Sequence, residues 1–334
     1  MKICVLGSGS WGIALTIHLK RAGHTPSLWA FDKAQAALLS QTRQNPSFLP
    51  GAVLDPDILV TQNIKEALAD AEGVTVAVPS QAVRSTAMTA SPFIKKNVWI
   101  VCAAKGLEDG TQMRLSDVLK QNLSSGPSIA VLSGPSHAEE VFQKMPTTVV
   151  TASDDDSTAA TVQTVFHSDY FRVYTSNDLM GVELGGALKN VIAIAAGITD
   201  GLGLGDNAKA ALMTRGLHEI TRLGTALGAK ASTFAGLTGM GDLIVTCTSR
   251  HSRNRLLGEK LGKGAILQTA LREMVMVAEG VNTAKSALIL AKKVNVEVPI
   301  IEEVHCVLFE NKSAKNALKS LLSRSAKPEK DFES

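Results

Sequence analysis

The sequence has little excess charge of either sign. Its 34 lysines and arginines nearly balance 31 aspartates and glutamates, which leaves a formal net charge of +3. The basic residues are dispersed, and no basic run alternates with aromatic residues. Since nucleic-acid-binding domains usually carry a clustered basic surface, we expect no nucleic-acid partner.

Long hydrophobic runs are absent as well. The chain opens directly on an apolar run of strand length, without a basic leader followed by a longer apolar stretch. The most apolar later segment, residues 191–198, is far shorter than the ~20 residues that a membrane-spanning helix needs. We therefore predict neither a signal peptide nor a membrane span.

Cysteine is scarce and scattered. Cys4, Cys102, Cys247 and Cys306 form no Cys-x-x-Cys pair, and no His, Asp or Glu cluster has the spacing of metal ligands. Reduced, widely spaced thiols are typical of cytosolic proteins. We expect a cytoplasmic protein without a bound metal ion.

What the sequence does have is a first half that alternates short apolar runs with amphipathic stretches, a pattern typical of strand–helix units. Most runs are apolar throughout, as in parallel strands that helices cover on both faces. We therefore predict an α/β Rossmann-type, doubly wound sheet. The predicted strands are residues 2–6, 26–30, 74–78, 98–103, 129–133, 147–152 and 171–176.

The sequence pattern changes after Thr175, where predicted strands are followed by long helical patterns rich in alanine, leucine and glycine. A chain of 334 residues also exceeds the ~250–300 residues at which single cores stop growing. We predict one domain over residues 1–184, an all-α domain over 185–324 and a disordered polar tail over 325–334. The junction is expected inside the start of a long helix.

Three glycines follow the first predicted strand. Gly7, Gly9 and Gly12 form Gly-x-Gly-x-x-Gly between a strand and a helix, the context in which this pattern binds a dinucleotide. The first glycine permits the tight turn, the second lets the backbone approach a pyrophosphate, and the third allows close helix packing. The alternative is a glycine-rich turn without a ligand, but the repeated strand–helix units favour dinucleotide binding.

The end of the second strand leaves the choice of dinucleotide open. An acidic residue there would bind the ribose 2′-hydroxyl of NAD, whereas a basic residue would favour NADP. Asp32 lies close to this place, but it could equally be a solvated loop carboxylate.

Two lysines occupy unusual positions. Lys105 follows the strand at 98–103, at the carboxyl edge where open α/β sheets bind ligands, although a surface lysine could also stand there. Lys189 interrupts an apolar helix, so its ammonium must find a partner, reach solvent or lose its proton more easily. An interdomain salt bridge is the alternative role for Lys189.

Two further stretches carry polar residues in a suggestive arrangement. Residues 252–255, Ser-Arg-Asn-Arg, offer donors that suit a phosphate monoester, although a solvated charged face is the alternative. Asp242, which is flanked by glycines, could cap a helix or orient a lysine.

Seven motifs together resemble those of the bacterial-type NAD(P)-dependent glycerol-3-phosphate dehydrogenases, in matching order and separation from Lys2 to about Ser323. The motifs are GSGSWG, KGLE, SGPS, GALKN, GDLIVTC, SRNR and AEGVNT. The resemblance implies a helical C-terminal domain like that of 6-phosphogluconate dehydrogenase, NAD(H) or NADP(H) as cofactor, no metal, and a homodimer. It also implies interconversion of dihydroxyacetone phosphate and sn-glycerol 3-phosphate, largely in the reductive direction that supplies phospholipid synthesis.

The resemblance assigns roles to individual residues. Lys189 matches the general acid–base lysine, Lys105 a second lysine at the substrate, and Asp242 a polar residue beside them. The other substrate positions that it implies are Gly134, Ser136, Asn190, Thr246, Ser252, Arg253 and Asn254. The cofactor positions that it implies are Gly7, Gly9, Ser10, Trp11, Gly12, Phe31, Lys105, Ala138, Arg253, Val277 and Glu279. Many members carry a basic residue or histidine in place of Phe31, so we expect no strong preference for NADP.

The chemistry of these residues agrees with such an enzyme. A lysine can both remove and donate the hydroxyl proton if desolvation and a second cation bring its pKa toward the working pH. Two other classes share parts of the pattern. A reductase of a small hydroxy acid such as ketopantoate would not require the Ser-Arg-Asn-Arg segment, and a non-catalytic dinucleotide sensor would not require the lysine pair.

Overall fold

The computed structural model describes residues 1–326, 328 and 329, in which a sheet occupies the first half and helices the second. Strands β1 to β8 are Lys2–Leu6, Thr25–Trp29, Leu59–Thr61, Gly73–Val76, Trp99–Cys102, Ile129–Ser133, Thr147–Ser153 and Phe171–Ser176. Each of the seven predicted strands is present within two residues at either end. Strand β3 is an addition that the sequence does not indicate, because it has only three residues.

The two longest helices follow the last strand. Helices α1 to α16 are Ser10–Arg21, Lys33–Thr42, Ile64–Ala67, Val83–Ala90, Leu115–Asn122, Ala138–Phe142, Asp156–Phe166, Leu179–Gly201, Gly205–Ala226, Ala231–Phe234, Asp242–Thr248, Arg253–Gly262, Leu267–Arg272, Gly280–Lys293, Pro299–Phe309 and Ala314–Leu322. A π-helical turn over Leu237–Gly241 leads directly into α11.

The strands form one sheet in the order β3-β2-β1-β4-β5-β6-β7-β8. The predicted doubly wound α/β sheet with a helical second half is confirmed. The sheet is not purely parallel, because β6 and β7 pair in antiparallel fashion. The strand order turns back between β1 and β4, and sheets of this kind bind ligands outside the carboxyl ends of the strands at such a point.

Helix α8 is the central core element of the helical half. Over an 18-residue window its mean hydropathy is 1.4, enough for a membrane span by composition, but 94% of that window is buried inside the protein. The apolar segment at 191–198 lies within this longer helix, and its burial favours a core helix over a membrane span. Helix α12 packs closely on α8 because a Cβ at Gly197 or Gly258 would lie about 2 Å from a backbone oxygen of the other helix.

The start of α8 ties the two halves together. Asp178 caps the helix by accepting a hydrogen bond from Gly181 N at 3.0 Å. The buried Glu183 accepts bonds from Ser116 N at 2.9 Å and Ser116 Oγ at 2.5 Å on α5. The division at residue 184 stays a prediction.

Of the predicted tail, residues 327 and 330–334 lie outside the described residues, and 325, 326, 328 and 329 are exposed and outside any helix or strand.

A second buried carboxylate, that of Glu219 on α9, holds the beginning of α15. It accepts hydrogen bonds from Ile300 N at 2.7 Å and Ile301 N at 3.2 Å, two of the backbone donors that a helix N terminus leaves unpaired. Burial raises the pKa of Glu219 to about 7, although both backbone donors oppose the shift.

This pKa makes the stability of the fold depend on pH. Because the pKa in the folded protein lies above its ordinary value of 4.5, the contribution is complete below pH 4.5 and is lost as the pH rises through about 7. We expect the free energy of unfolding of the wild type, relative to a non-ionising Glu219→Gln variant, to fall by about 3 kcal/mol across this window. Urea unfolding of both proteins at pH values from 4.5 to 7.5 measures it, and parallel curves would contradict the assignment.

Candidate active site

The glycine-rich turn after β1 is closed toward the protein and open on its other side. Gly7 has a φ of +117°, and a Cβ there would lie 2.8 Å from the backbone of Ala77. A Cβ at Gly12 would lie 1.8 Å from Gly7 O, whereas one at Gly9 would meet nothing within 4 Å among the described residues. This fits the dinucleotide assignment, because the open position is the one where a pyrophosphate would approach.

The N terminus of α1 follows this turn without a capping side chain or an acidic residue in its first turn. Its free N–H groups and the helix dipole are suited to an anion. The two residues that begin the helix reach other parts of the chain. Trp11 Nε1 donates to Ala103 O at 3.1 Å just past β5, and Ser10 Oγ lies 3.5 Å from Met276 Sδ.

The end of β2 presents an aromatic ring rather than a basic group. Phe31 is 78% exposed and meets the Trp29 ring edge-on, with centroids 6.0 Å apart. Asp32 is neither a simple loop carboxylate nor wholly free, because it caps α2 by accepting from Gln35 N at 2.7 Å. This cap is not among the sequence-based predictions, although its signal, an aspartate three residues before a glutamine, is present.

The remaining predicted cofactor residues border the same edge. Ala138 begins α6 and is buried, whereas Val277 is half exposed. Glu279, just before α14, accepts a hydrogen bond from Ser80 N at 2.9 Å and another from the Ser80 hydroxyl. Burial raises the pKa of Glu279, with the two Ser80 bonds and Arg253 opposing. Glu279 thus connects the helical half to the loop that follows β4.

A single buried carboxylate brings the two predicted lysines together. Asp242 Oδ1 accepts from Lys189 Nζ at 2.5 Å, and Asp242 Oδ2 accepts from Lys105 Nζ at 2.8 Å. Lys189 and Asp242 are buried, and the Lys105 side chain is only 18% exposed. Lys105 is therefore not a surface lysine, and Lys189 does not form an interdomain salt bridge, since α8 and α11 both belong to the helical half.

Two glycines before Lys189 make this arrangement possible. A Cβ at Gly185 would lie 2.9 Å from Thr238 O in the π-helical turn, and one at Gly186 would lie 2.6 Å from Ser133 Oγ at the end of β6. Helix α8 can therefore approach both the turn that presents Asp242 and the edge of the sheet.

Further polar groups complete the coordination of the two ammonium groups. Lys189 Nζ also donates to Thr246 Oγ1 at 2.5 Å, and Lys105 Nζ donates to Gly134 O at 2.8 Å. Ser136 Oγ lies 3.4 Å from Lys105 Nζ. Four of the predicted substrate and catalytic residues, Asp242, Thr246, Gly134 and Ser136, thus surround Lys105 and Lys189.

Burial and the neighbouring charges shift the pKa values of Lys189 and Asp242. Burial lowers the pKa of Lys189 to about 8, with a further lowering by Lys105 and an opposing contribution from Asp242. Burial alone would raise the pKa of Asp242, but the two lysines hold it below its ordinary value. A lysine with a pKa near 8 can both donate and accept a proton close to neutral pH.

Asn190 and Asn254 are partners of each other. Asn254 Nδ2 donates to Asn190 Oδ1 at 2.9 Å, and Asn254 Oδ1 accepts from Gly280 N at 2.9 Å. This chain of bonds joins α8, α12 and α14. Each of the two side-chain oxygens therefore accepts one hydrogen bond from the protein.

The Ser-Arg-Asn-Arg segment divides into two parts. Arg255 Nε lies 2.7 Å from Asp200 Oδ2 on α8, so this arginine is structural. The half-buried Arg253 makes no hydrogen bond or ion pair with any described residue. Burial lowers its pKa while Glu279 and Glu139 oppose the shift. Ser252 caps α12 by accepting from Arg255 N at 3.2 Å.

Two histidines at this site are absent from the sequence-based predictions. His137, the N-cap residue of α6, lies with its ring centroid 5.9 Å from that of His251. Their only sequence signal is adjacency to predicted motifs.

Elsewhere, on and after α15, the ligand atoms of His305, Cys306 and Glu310 lie within 4.8 Å of one another. The expectation of no bound metal remains a prediction.

Known proteins match the chain along nearly its whole length. The family models described as the N terminus and the C terminus of NAD-dependent glycerol-3-phosphate dehydrogenase match residues 2–159 and 178–319. A glycerol-3-phosphate dehydrogenase (NAD(P)+) of Fusobacterium nucleatum is 53% identical and covers 98% of both chains. One from Thermoanaerobacter sp. is 51% identical and covers 98% of this chain and 99% of its own.

A solved structure agrees with these sequence matches. The crystal structure of glycerol-3-phosphate dehydrogenase from Coxiella burnetii superposes with a TM-score of 0.93 at 36% identity, covering 97% of this chain and 99% of the other. Two matching family models and relatives near 50% identity set aside the hydroxy-acid reductase and the non-catalytic sensor. The chain belongs to the NAD-dependent glycerol-3-phosphate dehydrogenase family.

Proposed function

We propose that Lys189, Asp242 and Lys105 carry out the proton transfer of an NAD(P)-dependent glycerol-3-phosphate dehydrogenase. The reaction is the reversible conversion of dihydroxyacetone phosphate to sn-glycerol 3-phosphate, in accord with the family to which the chain belongs. The observation that carries the assignment of roles is the pair of lysines on the two oxygens of one buried carboxylate.

Lys189 is the general acid and base in this proposal. In reduction, its ammonium donates a proton to the C2 carbonyl oxygen as that oxygen becomes a hydroxyl. In oxidation, its neutral amine removes the proton of the C2 hydroxyl. Its pKa of about 8 suits both directions. Asp242 and Thr246 fix the nitrogen from two sides. A bound nicotinamide would supply or accept the hydride.

Lys105 is an electrostatic partner. Its ammonium is fixed by Gly134 O and Asp242, and it lowers the pKa of Lys189. A cation held here would stabilise negative charge that develops on the carbonyl oxygen during reduction.

Arg253 is proposed to bind the substrate phosphate. A half-buried guanidinium that makes no hydrogen bond or ion pair with the described residues is suited to a dianion, and its planar fork matches phosphate oxygens. The bonds of Asn190 and Asn254 hold α12, and therefore Arg253, against α8. The predicted substrate contacts of Ser252 and of both asparagines remain proposals.

The dinucleotide is proposed to lie across the open side of the glycine-rich turn, with its pyrophosphate at Gly9 and the start of α1. Phe31 and the carboxylate of Asp32 stand where a basic residue would favour the 2′-phosphate of NADP. We therefore propose use of both NADH and NADPH. The cytoplasmic location, the homodimer and the supply of phospholipid synthesis are proposals that rest on the family resemblance.

The first test is a spectrophotometric assay of dihydroxyacetone phosphate reduction with each reduced cofactor in turn. We expect activity with both, and a preference for NADPH below ~100-fold, a ratio that corresponds to about 2.7 kcal/mol. Inactivity with both cofactors would refute the function. A larger preference would mean that a basic residue from elsewhere reaches the 2′-phosphate.

The phosphate assignment predicts that Arg253→Lys is not conservative. Loss of a bidentate, charge-assisted contact costs on the order of 2–4 kcal/mol, so kcat/KM for dihydroxyacetone phosphate should fall roughly 30- to 1,000-fold. Activity toward unphosphorylated dihydroxyacetone should hardly change, because that substrate lacks the phosphate.

Arg255→Lys is the matched control, since Arg255 pairs with Asp200 and should leave the ratio of the two activities unaltered. An equal proportional loss with both substrates in Arg253→Lys would show that Arg253 serves the fold or the cofactor instead.

A further inference from the structure

His137 is a polar residue at the site to which the proposed mechanism gives no part. It follows directly after the loop of Gly134 and Ser136 that holds Lys105. Its Nε2 is buried and has no hydrogen-bond partner among the described residues. Buried polar atoms in folded proteins are nearly always paired, so an unpaired ring nitrogen beside a substrate site requires an explanation.

The ring of His137 borders both parts of the site. The charges of Lys189, Lys105 and Asp242 all act on it, which places it beside the proton-transfer cluster. It also meets the ring of His251, two residues before Arg253, with ring centroids 5.9 Å apart. A ligand that extends from Lys189 to Arg253 would therefore pass near His137.

The imidazole is neutral at physiological pH. Burial lowers the pKa of His137 to about 4, the two nearby lysines lower it further, and Asp242 and a backbone hydrogen bond with Val245 oppose the shift. A neutral imidazole has one nitrogen that donates and one that accepts a hydrogen bond. Such a ring can pair with a hydroxyl group whichever nitrogen carries the proton.

The other polar side chains of the cluster are already committed. Both oxygens of Asp242 hold lysines, and the Thr246 hydroxyl donates to Asp242 O at 2.6 Å while accepting from Lys189. The Ser136 hydroxyl donates to Gly134 O at 2.8 Å. Dihydroxyacetone phosphate brings three polar groups: a phosphate, which is proposed for Arg253, a carbonyl oxygen, which is proposed for Lys189, and the C1 hydroxyl.

We propose that His137 is a specificity residue whose Nε2 forms a hydrogen bond with the C1 hydroxyl of the substrate. This inference rests on the proposed function. With this bond, His137 Nε2 has a hydrogen-bond partner, and the C1 hydroxyl of the substrate has a residue that binds it. It also predicts that the enzyme distinguishes its substrate from one that lacks this hydroxyl.

The test compares dihydroxyacetone phosphate with hydroxyacetone phosphate, which lacks only the C1 hydroxyl, in the wild type and in His137→Phe. Phenylalanine keeps a planar ring but has no nitrogen. We expect the wild type to favour dihydroxyacetone phosphate in kcat/KM by about 10- to 100-fold, the range of one hydrogen bond to a buried group. In the variant this preference should shrink toward unity, mainly through loss of activity on dihydroxyacetone phosphate.

The readout is a ratio of two activities of one preparation, so it does not depend on the fraction of variant that folds. His137→Gln, which retains a hydrogen-bonding group, should recover part of the preference. A wild type without preference, or a preference unchanged in His137→Phe, would overturn the proposal. A wild type inactive with both phosphates would refute the proposed function itself, which keeps the two failures distinct.

Discussion

The carboxylate of Asp242 is the interaction on which the site depends. It is buried together with Lys189, and Lys105 approaches its other oxygen from the sheet. Two ammonium groups this close would repel each other strongly in a dry environment without the shared negative charge. Asp242 favours the charged form of Lys189, whereas burial and Lys105 lower its pKa and make it easier to deprotonate. A proton-transfer group needs both properties.

The fold supplies the conditions for this cluster. Lys105 lies at the carboxyl edge of the sheet, Lys189 in the middle of the central helix α8, and Asp242 at the start of α11 after a π-helical turn. The site therefore exists only where the two halves of the chain meet. Glu183 and Glu279 connect the two halves by accepting hydrogen bonds from Ser116 and Ser80.

Much of this could be predicted from the sequence because its signals are local. Apolar runs predict strands, and a lone charge in an apolar helix, as at Lys189, predicts either a buried ion pair or a functional position. The pairings could not be predicted, because contacts between distant segments are decided by packing. The hydrogen bond between Asn254 and Asn190 and the unpartnered nitrogen of His137 emerge only when the elements are assembled.

Proton transfer by Lys189 can be measured in the turnover of Lys189→Ala with dihydroxyacetone phosphate. General acid–base catalysis contributes at least ~100-fold, so we predict a loss of that size with cofactor binding retained. Lys120→Ala, which removes an exposed lysine paired with Asp154, serves as the control and should keep normal turnover. Near-normal turnover of Lys189→Ala would show that Lys189 is not the group that transfers the proton.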